Sequence, residues 1–188
     1  RNKLNKTIKQ ISKFIKKTDP DGITVFIGPC IAKKAEAIED DIAGEVDYVM
    51  TFEELEAMID AYKIDIESCD DKILDNASYY GRIFARSGGL AQSVGQVITE
   101  NNIDNEVELK PVVCDGITEC DKALRLLKAG RLDGNFIEGM ACTGGCIGGA
   151  ASLTHGPKDK NEVDKYAAMS LEKNVSDSLR VLNLDGID

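Results

Sequence analysis

The 188-residue chain lacks any hydrophobic run long enough to cross a bilayer, which argues against a helical membrane anchor. Its first residues, RNKLNKTIKQISKF, are basic, but no apolar core follows them, so they do not read as a secretory leader. Positive charge is also short: 23 Lys and Arg stand against 33 Asp and Glu, a net charge of −10. Nucleic acid and anionic membrane both need a basic face, so neither is expected as the main partner. Proline is sparse, with four residues, and internal repeats and low-complexity segments are absent. There is no phosphate-binding P-loop, because GPCIAKK has neither the glycine spacing nor the Lys-Ser/Thr ending. The remainder, 43% hydrophobic and 30% charged, is the composition of an ordinary folded soluble protein.

What the chain does have is cysteine: Cys30, Cys69, Cys114, Cys120, Cys142 and Cys146. In a chain of this size without a leader, metal binding or plain burial is a better reading than a disulfide framework.

Periodicity organises the rest. Leu4, Ile8, Ile11 and Ile15 share one face of an amphipathic N-terminal helix, which TDPDG breaks. ITVFIG, Ile23 to Gly28, is an unalternating β-rich run, as expected of a strand covered on both faces. KKAEAIEDDI predicts a helix, VDYVM a second strand, and TFEELEAMIDAY a helix opened by Thr51 and Glu54 at capping-box spacing. SGGLAQSVGQVITEN predicts a helix opening from a Gly-rich turn. VELKPVVCDG is a strand with Pro111 marking an edge or bulge, and TECDKALRLLKAGRLDG a helix capped by Thr118 and ended by Gly130. NFIEGMA is the last strand and KNEVDKYAAMSLEKNVSD a closing helix. Strands alternating with helices predict an α/β fold, a mostly parallel sheet flanked by helices, over residues 1–188 as a single unit.

In open α/β sheets, ligands collect at the carboxyl ends of strands. Cys30 follows the first strand, FARSGGLA forms a Gly-rich turn, and EGMACTGGCIGGA puts Cys142 and Cys146 after the last strand. The three cysteines are expected to converge on a metal. Glycines there allow backbone to approach a bulky cluster, and the amides so exposed can hydrogen-bond its sulfurs. Thiolates favour zinc or iron–sulfur. Zinc fits less well, because structural zinc sites usually pair C-x-x-C units and this chain has none. Burial and a tight turn are the plainer readings, and for Cys69, Cys114 and Cys120 they are preferred.

FIGPCIAKKAEA and EGMACTGGCIGG resemble the second and third signature motifs of the iron-only hydrogenases, in the catalytic domain of the large subunit. FARSGGLAQSV resembles the Gly-rich segment between them. The resemblance implies part of a bilobal hydrogenase catalytic domain that carries out reversible H2 oxidation and proton reduction. It implies a 4Fe-4S cubane bridged by a cysteine to a di-iron subcluster bearing CO, cyanide and a dithiolate. By position, Cys30 and Cys142 resemble cubane ligands and Cys146 the bridging ligand. Lys33 resembles the lysine that donates to a cyanide, a charge-assisted bond. Met140 and Phe84 resemble pocket-lining residues. The resemblance also implies a cytoplasmic protein of an anaerobe, with ferredoxin or another redox domain of a longer chain as electron partner.

Two departures stand against the family pattern. Its opening cysteine motif is absent, and the start at Arg1 is expected to reflect truncation. Three cysteines leave a cubane one ligand short, so the chain alone is expected to be inactive and without an intact cluster. Gly28 stands where the catalytic form has methionine, two residues before Cys30, and CIGGAASLTHGP replaces the usual Gln-Pro ending. A non-catalytic cluster-binding relative or a hydrogen sensor is therefore the alternative. His155, Glu36 and Glu138 lie near the motifs and could serve the cluster or protons, but a loop histidine and helix-start acids are the plainer readings.

Overall fold

The computed structural model describes residues 7–39, 43–72, 77–103 and 108–179, with side chains from Ile11 onward. They group into two compact units. The first takes 7–69 with Ala150–Leu153, and the second takes 70–149 with 154–179.

The first unit opens with helix α1, Thr7–Thr18. Leu4 of the predicted apolar face lies outside the described residues. Strand β1, Val25–Gly28, helix α2, Ala32–Ala37, and strand β2, Tyr48–Thr51, form a β-α-β unit whose strands pair in parallel, Val25 with Tyr48 through Gly28 with Thr51. Asp47 fixes the start of that pairing. Its carboxylate accepts from the Thr24 amide at 2.7 Å and the Thr24 hydroxyl at 2.8 Å, and Lys16 lies 3.2 Å away. The Thr24 amide, the Thr24 hydroxyl and Lys16, in that order, hold the Asp47 carboxyl down to about 2. Helix α3, Phe52–Ala61, starts as the sequence predicts: the Glu54 amide donates to Thr51 Oγ1 at 3.2 Å and the Thr51 amide to Glu54 Oε2 at 2.9 Å.

β1 is not covered on both faces. Phe26 packs against Val46 and Val49, but Val25 and Ile27 are more than 40% exposed. Alternate side chains of a strand point to opposite faces, so one face of this two-stranded sheet is packed and the other open.

The second unit runs from α4, Tyr79–Arg82, through a 3₁₀ turn, Ile83–Ala85, to α5, Gly89–Glu100. β3, Pro111–Asp115, α6, Ile117–Lys128, and β4, Phe136–Met140, form a second β-α-β unit, again parallel, with Cys114 opposite Gly139 and Asp115 opposite Met140. Pro111 begins its strand, where a missing N–H is tolerated. The cap of α6 is Gly116 rather than Thr118, and Thr118 sits inside the first turn. Glu119, in the first turn, reaches back to accept from the Asp115 amide at 2.7 Å, tying the helix to the end of β3.

The closing segment is two helices, α7, Asp159–Ala168, and α8, Val175–Leu179. Lys173 Nζ donates to the carbonyls of Ala168 and Ser170 at 2.7 and 2.6 Å, satisfying the end of α7. Glu100 then accepts from the amides of Val175 and Ser176 at 2.9 and 2.8 Å, starting α8 anew. Side-chain caps from elsewhere in the unit thus split a pattern that periodicity alone would run together.

Candidate functional site

Cys30 lies in the first unit, in the turn between β1 and α2, and is half-buried. That turn is closed by the Lys33 amide donating to the Cys30 carbonyl at 3.2 Å, and the Ala151 amide donates to the Pro29 carbonyl at 3.2 Å. Lys33 does not point at empty solvent. Its ammonium sits 2.5 Å from Glu36 Oε2, while Glu36 Oε1 is buried without a partner. Gly28, the residue before Pro29, is buried, and a Cβ there would meet the Phe26 ring at 2.9 Å. Phe26 thus fills the space beside Gly28.

Cys142 and Cys146 lie in the second unit, on the loop after β4, half-buried and exposed respectively. The loop is a chain of tight turns: Gly145 to Cys142 at 3.1 Å, Gly148 to Gly145 at 3.0 Å, and Gly149 to Cys146 at 2.9 Å, each amide donating to the earlier carbonyl. Gly144 and Gly145 have φ of +89° and +88°, a region costly to residues with a Cβ. A Cβ on Gly145 would also lie 2.6 Å from the Ser87 amide nitrogen, and one on Gly148 only 1.9 Å from the Thr143 carbonyl oxygen.

Two neighbouring segments hold the loop. The Gly144 amide donates to Asp115 Oδ1 at 2.6 Å, and the Ser87 amide donates to the Gly144 carbonyl at 3.0 Å. Ser87 Oγ is buried without a partner. Arg86, 3% exposed, anchors the Ser87 segment through Asp164 at 2.5 Å and Gln92 at 3.1 Å. The sequence reasoning missed Asp115, Ser87 and Arg86. Only their position in or beside a Gly-rich turn could have signalled them.

Met140 ends β4 and is half-buried, and Phe84 is 44% exposed in the 3₁₀ turn before the Gly-rich segment. Glu138 has a structural role. At 1% exposure its carboxylate accepts from the Gly88 and Ala91 amides at 2.8 and 2.7 Å, capping α5, which has no side-chain cap of its own. His155 is exposed and meets the Gly149 carbonyl through Nε2 at 2.9 Å. None of the six cysteines is in a disulfide. Among the described residues, no three His, Cys, Asp or Glu side chains gather as a metal-holding group.

The donor set suits iron–sulfur chemistry. Cys142 and Cys146 stand on one loop, where the Asp115 carboxylate is taken up by the Gly144 amide and the His155 ring by the Gly149 carbonyl, and thiol donors of this kind favour iron–sulfur or zinc over hard cations. The strand-end placement and glycine-built loops define an α/β protein that presents cysteine thiols on Gly-rich turns. The comparisons then give the family. The sequence family described as "Iron only hydrogenase large subunit, C-terminal domain" matches residues 6–150, and the chain belongs to it.

Iron hydrogenase 1 of Clostridium pasteurianum is 31% identical, over 78% of this chain and 31% of its own. The periplasmic Fe hydrogenase large subunit of Nitratidesulfovibrio vulgaris is 26% identical, over 71% of this chain and 39% of its own. A protein of Aedes aegypti named "Probable cytosolic Fe-S cluster assembly factor" is also 26% identical, over 69% of this chain and 35% of its own. The chain thus spans about a third of the length of the curated relatives it matches. Among solved structures, FeFe-hydrogenase HydA(deltaEFG) superposes with a TM-score of 0.63 at 15% identity, over 94% of this chain and 62% of that one. A variant of HydA1 from Chlamydomonas reinhardtii gives 0.61 at 16%, over 95% and 63%. The fold is therefore that of the hydrogenase catalytic domain.

Proposed function

We propose that the chain is the cluster-holding portion of an enzyme that oxidises H2 and reduces protons. The observation that carries this is the loop after β4, where Cys142 and Cys146 stand on a backbone shaped by Gly144 and Gly145 within a family of iron-only hydrogenases. Cys30, Cys142 and Cys146 are the proposed iron ligands, and Cys146 is the one proposed to bridge a 4Fe-4S cubane to a di-iron centre. When bound, that centre supplies the site for making and breaking H2. The protein's own task is to hold it, exclude water and tune it.

Lys33 is the proposed cationic donor to an anionic ligand. Glu36 shares its proton-bearing nitrogen and fixes where that nitrogen stands. Met140 and Phe84 are proposed as apolar pocket walls, and Gly28 as a cofactor-binding position, with the Phe26 ring beside it. Ferredoxin or a redox domain of a longer chain is the proposed electron partner. Among the described residues no helix is long and apolar enough to cross a membrane. A cytoplasmic site in an anaerobe is our reading, although one relative is named as periplasmic.

The alternative reading is a non-catalytic iron–sulfur cluster-binding or H2-sensing relative of hydrogenase. One measurement separates the two: the infrared spectrum of the full-length parent, produced anaerobically with di-iron maturation proteins. Bands of metal-bound CO and cyanide are expected. Iron–sulfur absorbance without those bands would sink the hydrogenase reading and support the cluster-binding one.

A further inference from the structure

Two cysteines that no cluster motif claims lie together behind the loop. Cys114, 2% exposed, is in β3 opposite Gly139 of β4. Cys120, half-buried in the first turns of α6, folds back over that pair. A Cβ on Gly139 would lie 3.2 Å from Cys120 Sγ, and Cys120 Sγ is 3.6 Å from the Met140 carbonyl oxygen. Cys120 Sγ also lies 4.0 Å from the carbonyl oxygen of Cys114 itself, which sets its sulfur over that residue. The turn between them, Asp115 and Gly116, touches the cysteine loop twice. The Gly116 amide donates to the Met140 carbonyl at 2.8 Å, and Asp115 accepts from the Gly144 amide at 2.6 Å.

We propose that Cys114 and Cys120 are a modification site, closing to a reversible disulfide with hydrogen peroxide as oxidant, and that this closure alters the loop carrying Cys142 and Cys146. Accessibility sets the order of events. Cys120, the more accessible sulfur, attacks the peroxide as thiolate. The O–O bond breaks, the departing hydroxide takes up a proton as water, and Cys120 is left as a sulfenic acid. The Cys114 sulfur then attacks Cys120 Sγ, the S–O bond breaks, and hydroxide leaves with the Cys114 proton as a second water. Two thiols lose two protons and two electrons, and the peroxide is reduced to two waters.

Burial first, and then the neighbouring Cys120 and Glu119, push the Cys114 thiol up, which suits a resolving thiol kept out of the first step. Disulfide formation draws Cys120 Sγ from the Met140 carbonyl towards Cys114, so the redox state is felt at the strand end from which the loop springs.

The test uses the reduced wild-type chain, titrated with hydrogen peroxide under argon, alkylated and digested with trypsin. Lys and Arg are absent between Cys114 and Cys120, so one peptide carries both. That peptide is expected to lose two hydrogens, take up no alkyl groups, and recover both thiols with dithiothreitol. In Cys114→Ser the reaction is expected to stop at a sulfenic acid on Cys120, trapped by dimedone. Two alkyl groups on that peptide, at peroxide sufficient to oxidise the exposed Cys69, would overturn the site. Hydrogen exchange tests the coupling: the oxidised chain is expected to exchange faster over residues 139–145, and unchanged exchange there would overturn that part.

Discussion

Glu138 opens the EGMACTGGCIGG motif and looks at first sight like a proton carrier, yet both its oxygens are spent on the first turn of α5. Replacing it with Gln would turn an amide NH2 against one of those two backbone donors. Glu138→Gln is expected to cost about 1–3 kcal/mol, the penalty for a buried donor left without an acceptor, read from the denaturant midpoint. Glu138→Ala should cost at least as much, because both donors then lose their acceptor. Gly145 gives a second prediction at this scale. Its positive φ and the Ser87 amide 2.6 Å from any added Cβ make Gly145→Ala incompatible with the present loop. Anaerobic iron reconstitution of the parent carrying Gly145→Ala is expected to yield less iron per chain, with the far-ultraviolet spectrum retained. Equal iron content would show that the loop tolerates a different path. Neither constraint could be read from the sequence, where Glu138 is one acid among many and Gly145 one glycine in a run.

Among the elements, α3 shows how much a local signal can carry. Thr51 and Glu54 stand three apart, and the capping box they predict is present in both directions. Where the capping group comes from far along the chain, the local signal fails. α8 starts because Glu100, on α5, reaches its first amides. Burial by itself would raise the Glu100 carboxyl, but the Ser176 hydroxyl and amide, Gln96 and the Val175 amide together hold it down to about 2, against an ordinary 4.5. Asp47 behaves alike at the start of the β1–β2 pair, at about 2 against 3.8.

Both groups bind protons less tightly folded than unfolded, so their contribution is complete above the unfolded values and is lost as pH falls towards about 2. Urea midpoints measured from pH 6 to pH 2 are expected to fall mainly below about pH 4.5, the window those two groups define. Glu100→Gln should flatten part of that fall. A midpoint that drops equally in the variant would mean Glu100 does not carry the dependence.

At the scale of the whole molecule, charge and burial pull in different directions. The chain carries a net charge of −10, which opposes association, yet Val25, Ile27 and Tyr48 leave an apolar patch open on the first unit's sheet. On α6 of the second unit, Ile117, Leu124 and Leu127 are each more than half exposed. Clustered apolar exposure of this kind marks surfaces that associate. The isolated chain is expected to self-associate in sedimentation velocity as salt is raised and charge repulsion is screened. Ile27→Lys should reduce that association while leaving the denaturant midpoint nearly unchanged, since the side chain is already 42% exposed. A monomer at all salt concentrations would show that the apolar faces are too divided to pair.

The sequence by itself determined the α/β order, the parallel pairing through βαβ spacing, the family and the loops on which Cys30, Cys142 and Cys146 stand. These follow from local periodicity, from breakers such as Gly130, and from motifs whose residues lie within a dozen positions of one another. Only the tertiary structure decided that Asp115 and Ser87 hold the Gly144 peptide, that Arg86 is buried against Asp164, and that Phe26 lies over Gly28. It also decided that the Cys120 sulfur folds back to within 4.0 Å of the Cys114 carbonyl behind the cysteine loop. Each of these contacts depends on how separate elements pack, and packing joins residues by distance in space, which hydrophobic period and turn chemistry do not encode.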